Sequence, residues 1–146
     1  MLSPPLAVSL YDSLVAVHVI FVIFAFGVLF AYPWLPKGTP EAHEGRAKLL
    51  SVVVTRGGGV AFLIGLGLAI DKSVMNKVWV NVPFALIIII LGVVGAVMTP
   101  RERALAHDNL EPEHRAETEL LVQRAAYACM ACVAIAVFFM VAKPGA

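Results

Sequence analysis

Between Leu14 and Ala31 the chain carries one ionisable side chain, His18, in an otherwise hydrocarbon-like run. At 1.5 Å per residue His18 lies about 9 Å beyond Asp12 along a helix, too deep for a short imidazole to reach water easily. A polar group so placed needs a partner. It can be a neutral ring hydrogen-bonded to a neighbouring helix, with Asn81 or a carbonyl freed by Pro83 as acceptor or donor. It can equally be an axial ligand of haem or a metal held between helices, the usual position for cofactors of helical proteins. Either role turns the ring inward, onto the face that Tyr11, Phe21, Val22 and Ala25 share at helical spacing.

The remaining reactive residue types point less clearly to chemistry. Cys129-Met130-Ala131-Cys132 has the C-x-x-C spacing, but it sits mid-helix in apolar surroundings that keep thiols protonated and inert, so buried small residues are expected there. Neither a disulfide framework nor a zinc site is the natural reading. His43, His107 and His114 stand beside acidic residues, yet Pro112 interrupts their spacing, which matches no standard ligand pattern; a solvated surface is expected and no metal site is assigned. Arg56 falls about two turns inside an apolar segment, at a cost of up to ~3 kcal/mol unless it snorkels or pairs. Glu117 and Glu119 are the candidate partners at a similar height.

These residues must be positioned by membrane helices. Of 146 residues 60% are hydrophobic and 14% charged, and the mean hydropathy is +0.88, too apolar for a soluble domain and too short a chain for two. Spanning ~30 Å of hydrocarbon takes about 20 residues. Ser13–Ala31, Val78–Thr99 and Ala125–Ala142 qualify, and Leu49–Ile70 does so if Arg56 is tolerated. The expected fold is therefore a single all-α domain over residues 1–146, an integral membrane four-helix bundle. The start, MLSPPLAVSLYDS, has no basic region or small-residue cleavage site and does not read as a signal peptide, so the first span should be retained.

Thr39 as N-cap, Pro40 at the first helical position and Glu41 and Glu44 in the first turn predict a cytoplasmic amphipathic helix running straight into span 2. The loop between spans 3 and 4 reads as two polar helical pieces divided at Asn109–Pro112. Gly57, Ala61, Gly65 and Ala69 recur every fourth residue in span 2, with Gly92 and Ala96 in span 3 and Ala128, Cys132 and Ala136 in span 4. Such stripes let helix backbones approach where hydrophobicity alone gives no drive to associate, so tight packing or a homo-oligomer is expected. A net charge of +1 gives nucleic acid no electrostatic handle; the expected surroundings are the lipid bilayer and a second copy or a membrane-complex partner.

The run HVIFVIFAFGVLFAYPWL resembles the first span of HemJ-type bacterial membrane proteins and their copper-resistance-D relatives. The likeness rests on a histidine in an apolar helix followed by a glycine, then Phe30, Pro33 and Leu35 at the helix exit, Arg46 in an amphipathic segment and a glycine-rich second span. Lys143-Pro144 is similar to the family's Lys-Pro ending. The resemblance implies a bacterial cytoplasmic (inner) membrane protein, with haem b bound through His18. In HemJ a third-span tryptophan is followed four residues later by a lysine implicated at the same site; here Trp79 is followed by Pro83, and no lysine, histidine or acid lies between Val78 and Thr99. Protoporphyrinogen oxidation is therefore not carried over.

Three functions remain open: a haem- or metal-binding accessory protein, with Lys72, Lys77 or Met140 as second ligand; a redox enzyme of porphyrin or quinone chemistry; and a structural subunit whose partner supplies the chemistry. Orientation follows the cations. Lys37, Arg46 and Lys48 in one loop and Arg101, Arg103, Arg115 and Arg124 in another outnumber Lys72, Lys77 and Lys143 on the opposite side, so both termini are expected outside. Cysteines introduced into DKSVMNK and PRERAL should react with an impermeant reagent from opposite faces; reaction of both from one face contradicts four spans.

Overall fold

The computed structural model describes residues 9–107 and 110–144. The described residues form helices and turns without strands. Four long apolar helices could each cross a membrane: α1 (Leu10–Ala31, prolonged by a tighter turn at Tyr32–Trp34), α2 (Pro40–Asp71), α3 (Val78–Ala106) and α4 (Pro112–Ala142). Their outward residues, among them Ile23, Phe24, Leu63, Ile88 and Phe138, are apolar and exposed, which only a lipid-like solvent tolerates on this scale.

Local signals account for the starts. Ser9 caps α1 in a reciprocal capping box with Asp12. Thr39 accepts the amide of Ala42 while Pro40 takes the first position of α2, and that helix then continues without a break through the second span. Spans 3 and 4 extend as helix beyond their apolar segments, to Ala106 and from Pro112, so the polar loop contracts to a short connection; Asn109, part of the expected divide, lies outside the described residues.

Two stretches depart from α geometry. Leu49–Gly57 in α2 and Val94–Met98 in α3 are π-helical, and in each a threonine hydroxyl reaches back five residues, Thr55 to the Leu50 carbonyl and Thr99 to that of Val94. The wider turns keep buried residues in line at four-residue steps, Leu50–Val54–Gly58 in α2 and Val94–Met98–Glu102 in α3. The two π segments touch each other.

One half of the molecule is filled. Ala25, Phe26 and Leu29 of α1, Leu50 and Val54 of α2, Ile90, Val94 and Met98 of α3 and Val122, Ala126 and Cys129 of α4 form a continuous buried cluster toward the end where the α1–α2 and α3–α4 connections lie. Toward the other end, where Lys72 meets Tyr11 and Lys143 meets Trp79, the residues α2 buries are the small Ala61 and Ala69, with Gly65 between them, and space is left.

The small-residue stripe of α2 packs against α1. Phe21 lies beside Gly57, Ala25 beside Gly58, and the His18 ring covers Gly65. The other stripes fare differently. Gly92 and Ala96 are exposed with nothing over Gly92, and α4 buries Ala126, Cys129, Val133 and Ala136, whereas Ala128 faces out. Hydrocarbon is as apolar as leucine, so a small outward residue costs nothing there.

A Cβ at position 65 would stand 2.7 Å from His18 Cε1, closer than any van der Waals contact allows. Gly65→Ala should therefore cost about 1–3 kcal/mol in detergent unfolding, an overpacking penalty. Most of that loss should vanish in a His18→Ala background; equal losses in both backgrounds would separate Gly65 from the histidine.

Candidate functional site

His18 Nδ1 lies 2.8 Å from the Ala61 carbonyl oxygen of α2. A carbonyl can only accept, so Nδ1 carries the proton and donates it, taking the lone pair that the helix's own hydrogen bond leaves unused. In the neutral ring Nε2 then keeps a lone pair, with no partner among the described residues. Asn81 and the Pro83 turn, the partners expected from sequence, are not used: Asn81 is exposed, and the stripe that brings α2 against α1 puts the Ala61 carbonyl within reach first.

The ring forms part of the wall of a cavity of about 240 Å³ between α1, α2, α3 and α4. Phe62 and Phe84, in edge contact at 5.2 Å, line it together with Leu68, Val80 and Ile87. Polar groups gather toward the chain-terminal end, where the Lys72 ammonium sits 4.1 Å from the centre of the Tyr11 ring and Lys143 lies 5.3 Å from that of Trp79. Of the second ligands considered from sequence, Lys72 and Met140 border the cavity and Lys77 does not.

A second polar cluster lies at the opposite end and was not foreseen. Glu102 of α3 is 1% exposed, and three side chains from α1 and α2 converge on its carboxylate. The Tyr32 hydroxyl donates to Oε1, His43 Nδ1 donates to Oε2 at 2.7 Å, and Arg46 Nε lies 3.1 Å from Oε1, as an ion pair rather than an aligned hydrogen bond. The Arg46 guanidinium also covers the Tyr32 ring at 4.1 Å. Beyond His43, Nε2 stands 3.8 Å from Glu119 of α4, which Arg115 approaches at 3.7 Å.

Other expectations from sequence separate here. His43 is buried rather than solvated, whereas His107 and His114 are exposed and do not join it. Among the described residues no three His, Cys, Asp or Glu side chains are placed to hold a metal. Arg56 is exposed and pairs with neither Glu117 nor Glu119; π geometry leaves it on the outer face, and the buried cation is Arg46. Cys129 is buried and Cys132 half-buried, both as free thiols. The missed cluster did have a signal. His43 and Arg46 prolong the buried stripe of Leu50 and Val54 at helical spacing, and Glu102 prolongs that of Val94 and Met98.

Compared with family models, curated proteins and solved structures, the chain shows no significant match.

Removing the Glu102 carboxylate leaves Arg46 buried without a counter-charge. Glu102→Ala should lower unfolding stability by about 3–5 kcal/mol, the usual result of breaking a buried pair. A loss within experimental error would show the cluster to be open to water.

Proposed function

We propose that the protein is a binding protein of the lipid phase that holds haem through His18. One observation carries this reading: Nδ1 is committed to the Ala61 carbonyl, which leaves Nε2 as a free Lewis base on a ring that lines an apolar cavity. Imidazoles that serve as metal ligands have this arrangement, with the distal nitrogen fixed by a backbone carbonyl or carboxylate that sets tautomer and basicity. A histidine kept only as an interhelical contact has no need of an empty space beside its ring.

The donors fit a haem iron. His18 supplies nitrogen, and Met140 and Lys72 border the same space. The volume sets a limit, because pockets that enclose drug-sized ligands measure ~300–1,000 Å³. At about 240 Å³ the cavity encloses part of a macrocycle, leaving the rest against lipid or a second copy. Bound haem would supply one-electron chemistry; the chain itself supplies the nitrogen, the dry walls and the cationic rim.

The likeness of the first span to HemJ-type proteins supports the same position for haem. Pro83, where that family has a lysine, removes protoporphyrinogen oxidation from the proposal. The reading also includes a four-helix bundle in a bacterial cytoplasmic membrane, with the arginine-rich connections, and the amphipathic start of α2, on the cytoplasmic side.

Protein purified from a haem-replete host should show a Soret band that His18→Ala abolishes while the helical content stays unchanged. A colourless wild type that takes up no added haem, or a His18→Ala protein with the same spectrum, would overturn the proposal.

A further inference from the structure

The Tyr32–His43–Glu102 cluster stands apart from the His18 cavity, and the binding reading leaves it without a role. Its central imidazole is 1% exposed and has one satisfied nitrogen. Nδ1–H is held by Glu102, so in the neutral ring the lone pair lies on Nε2. That atom is fully buried and has no hydrogen-bond partner among the described residues. A buried acceptor without a donor is costly unless water reaches it.

A cavity of about 30 Å³ adjoins the ring, bordered by Lys37, Glu119 and Gln123. One water needs on the order of 10–15 Å³ measured this way, and two to four polar partners, so the space has room for water. Nε2 and Glu119 Oε1 are 3.8 Å apart, too far for a direct hydrogen bond and near enough for one water to serve both. Glu119 is 39% exposed, so its carboxylate joins the solvent to the space beside the ring.

We propose that His43 is a proton-uptake site, loaded from the solvent at the connection end through Glu119 and one bound water. The incoming proton adds to the Nε2 lone pair, the ring becomes imidazolium, and the Nδ1 proton stays on its bond to Glu102; release retraces the same route. The groups facing the ring set the balance. Glu102 of α3 and Glu119 of α4 are the two that approach it and favour the cation. Arg46 of α2 and Tyr32 of α1 engage the other oxygen of Glu102, Arg115 of α4 partly offsets Glu119, and Lys37 carries its charge in the exposed α1–α2 connection. The ring thus sits between two carboxylates, with the cations one group further out.

Histidine side-chain ¹⁵N–¹H spectra of the detergent-solubilised full chain test this directly. Of the four histidines, His43 is assigned by elimination with His18→Ala, His107→Gln and His114→Gln, which leave the cluster untouched. At neutral pH His43 should show a protonated Nδ1 and a bare Nε2, and acidification should protonate Nε2 in one step. Glu119→Gln removes a half-exposed carboxylate and should lower that midpoint by about half to one pH unit, because an opposite charge at this range favours the protonated ring. A His43 that never titrates while the fold persists, a proton already on Nε2 at neutral pH, or a midpoint unmoved by Glu119→Gln would each overturn the proposal.

Discussion

The hydrogen bond from His18 to the Ala61 carbonyl is the constraint around which the chain-terminal half of the molecule is arranged. An imidazole deep in an apolar helix must give its proton to something, and side-chain acceptors are scarce in this half of the protein. A helix backbone offers a second lone pair on every carbonyl, but only a neighbouring helix that comes close can use it. Gly65 permits the approach: its missing Cβ is the space the ring occupies. The four-residue stripe in α2, the inward turn of His18 and the fixed tautomer are thus one feature seen from two helices.

The two halves of the molecule differ in how they are filled. Toward the connections, leucine, valine, isoleucine and methionine from all four helices close the interior, and the polar residues there gather around one carboxylate that they satisfy. Toward the termini, alanine and glycine on α2 leave the cavity at His18. Packing in hydrocarbon rewards close contact and interhelical hydrogen bonds rather than burial of apolar surface, so a hollow of this size is retained only where the helices are held apart. Aromatic contacts between Phe62 and Phe84, and lysines laid over Tyr11 and Trp79, line and rim it.

Much of the architecture was legible in the sequence. The four apolar segments are helices, Thr39 and Pro40 start α2 as their types require, and the Gly57–Ala61–Gly65–Ala69 stripe lies against α1. His18 does face inward, in line with Phe21 and Ala25. Its partner was missed because a backbone carbonyl leaves no mark in a sequence, and Asn81 was simply the nearest polar side chain on paper. The Glu102 cluster was missed for another reason. His43, Arg46 and Glu102 lie in segments rich in charge, where a solvated face is the ordinary reading, and their pairing joins residues 56 or more positions apart across helices whose register two π segments alter. Arg56, the cation that hydropathy singled out, is exposed, while the buried one sits ten residues earlier.

The proposed haem site requires Nε2 of His18 to be available to a ligand in the cavity that the ring lines. An equilibrium titration of the purified apo-protein with haem, followed by absorbance, measures this most directly. The wild type should saturate at one haem per chain, and Gly65→Ala, which displaces the ring without removing it, should bind more weakly. Absorbance that rises without saturation, and alike for wild type and His18→Ala, would be the behaviour of haem dissolving in detergent and would contradict the account.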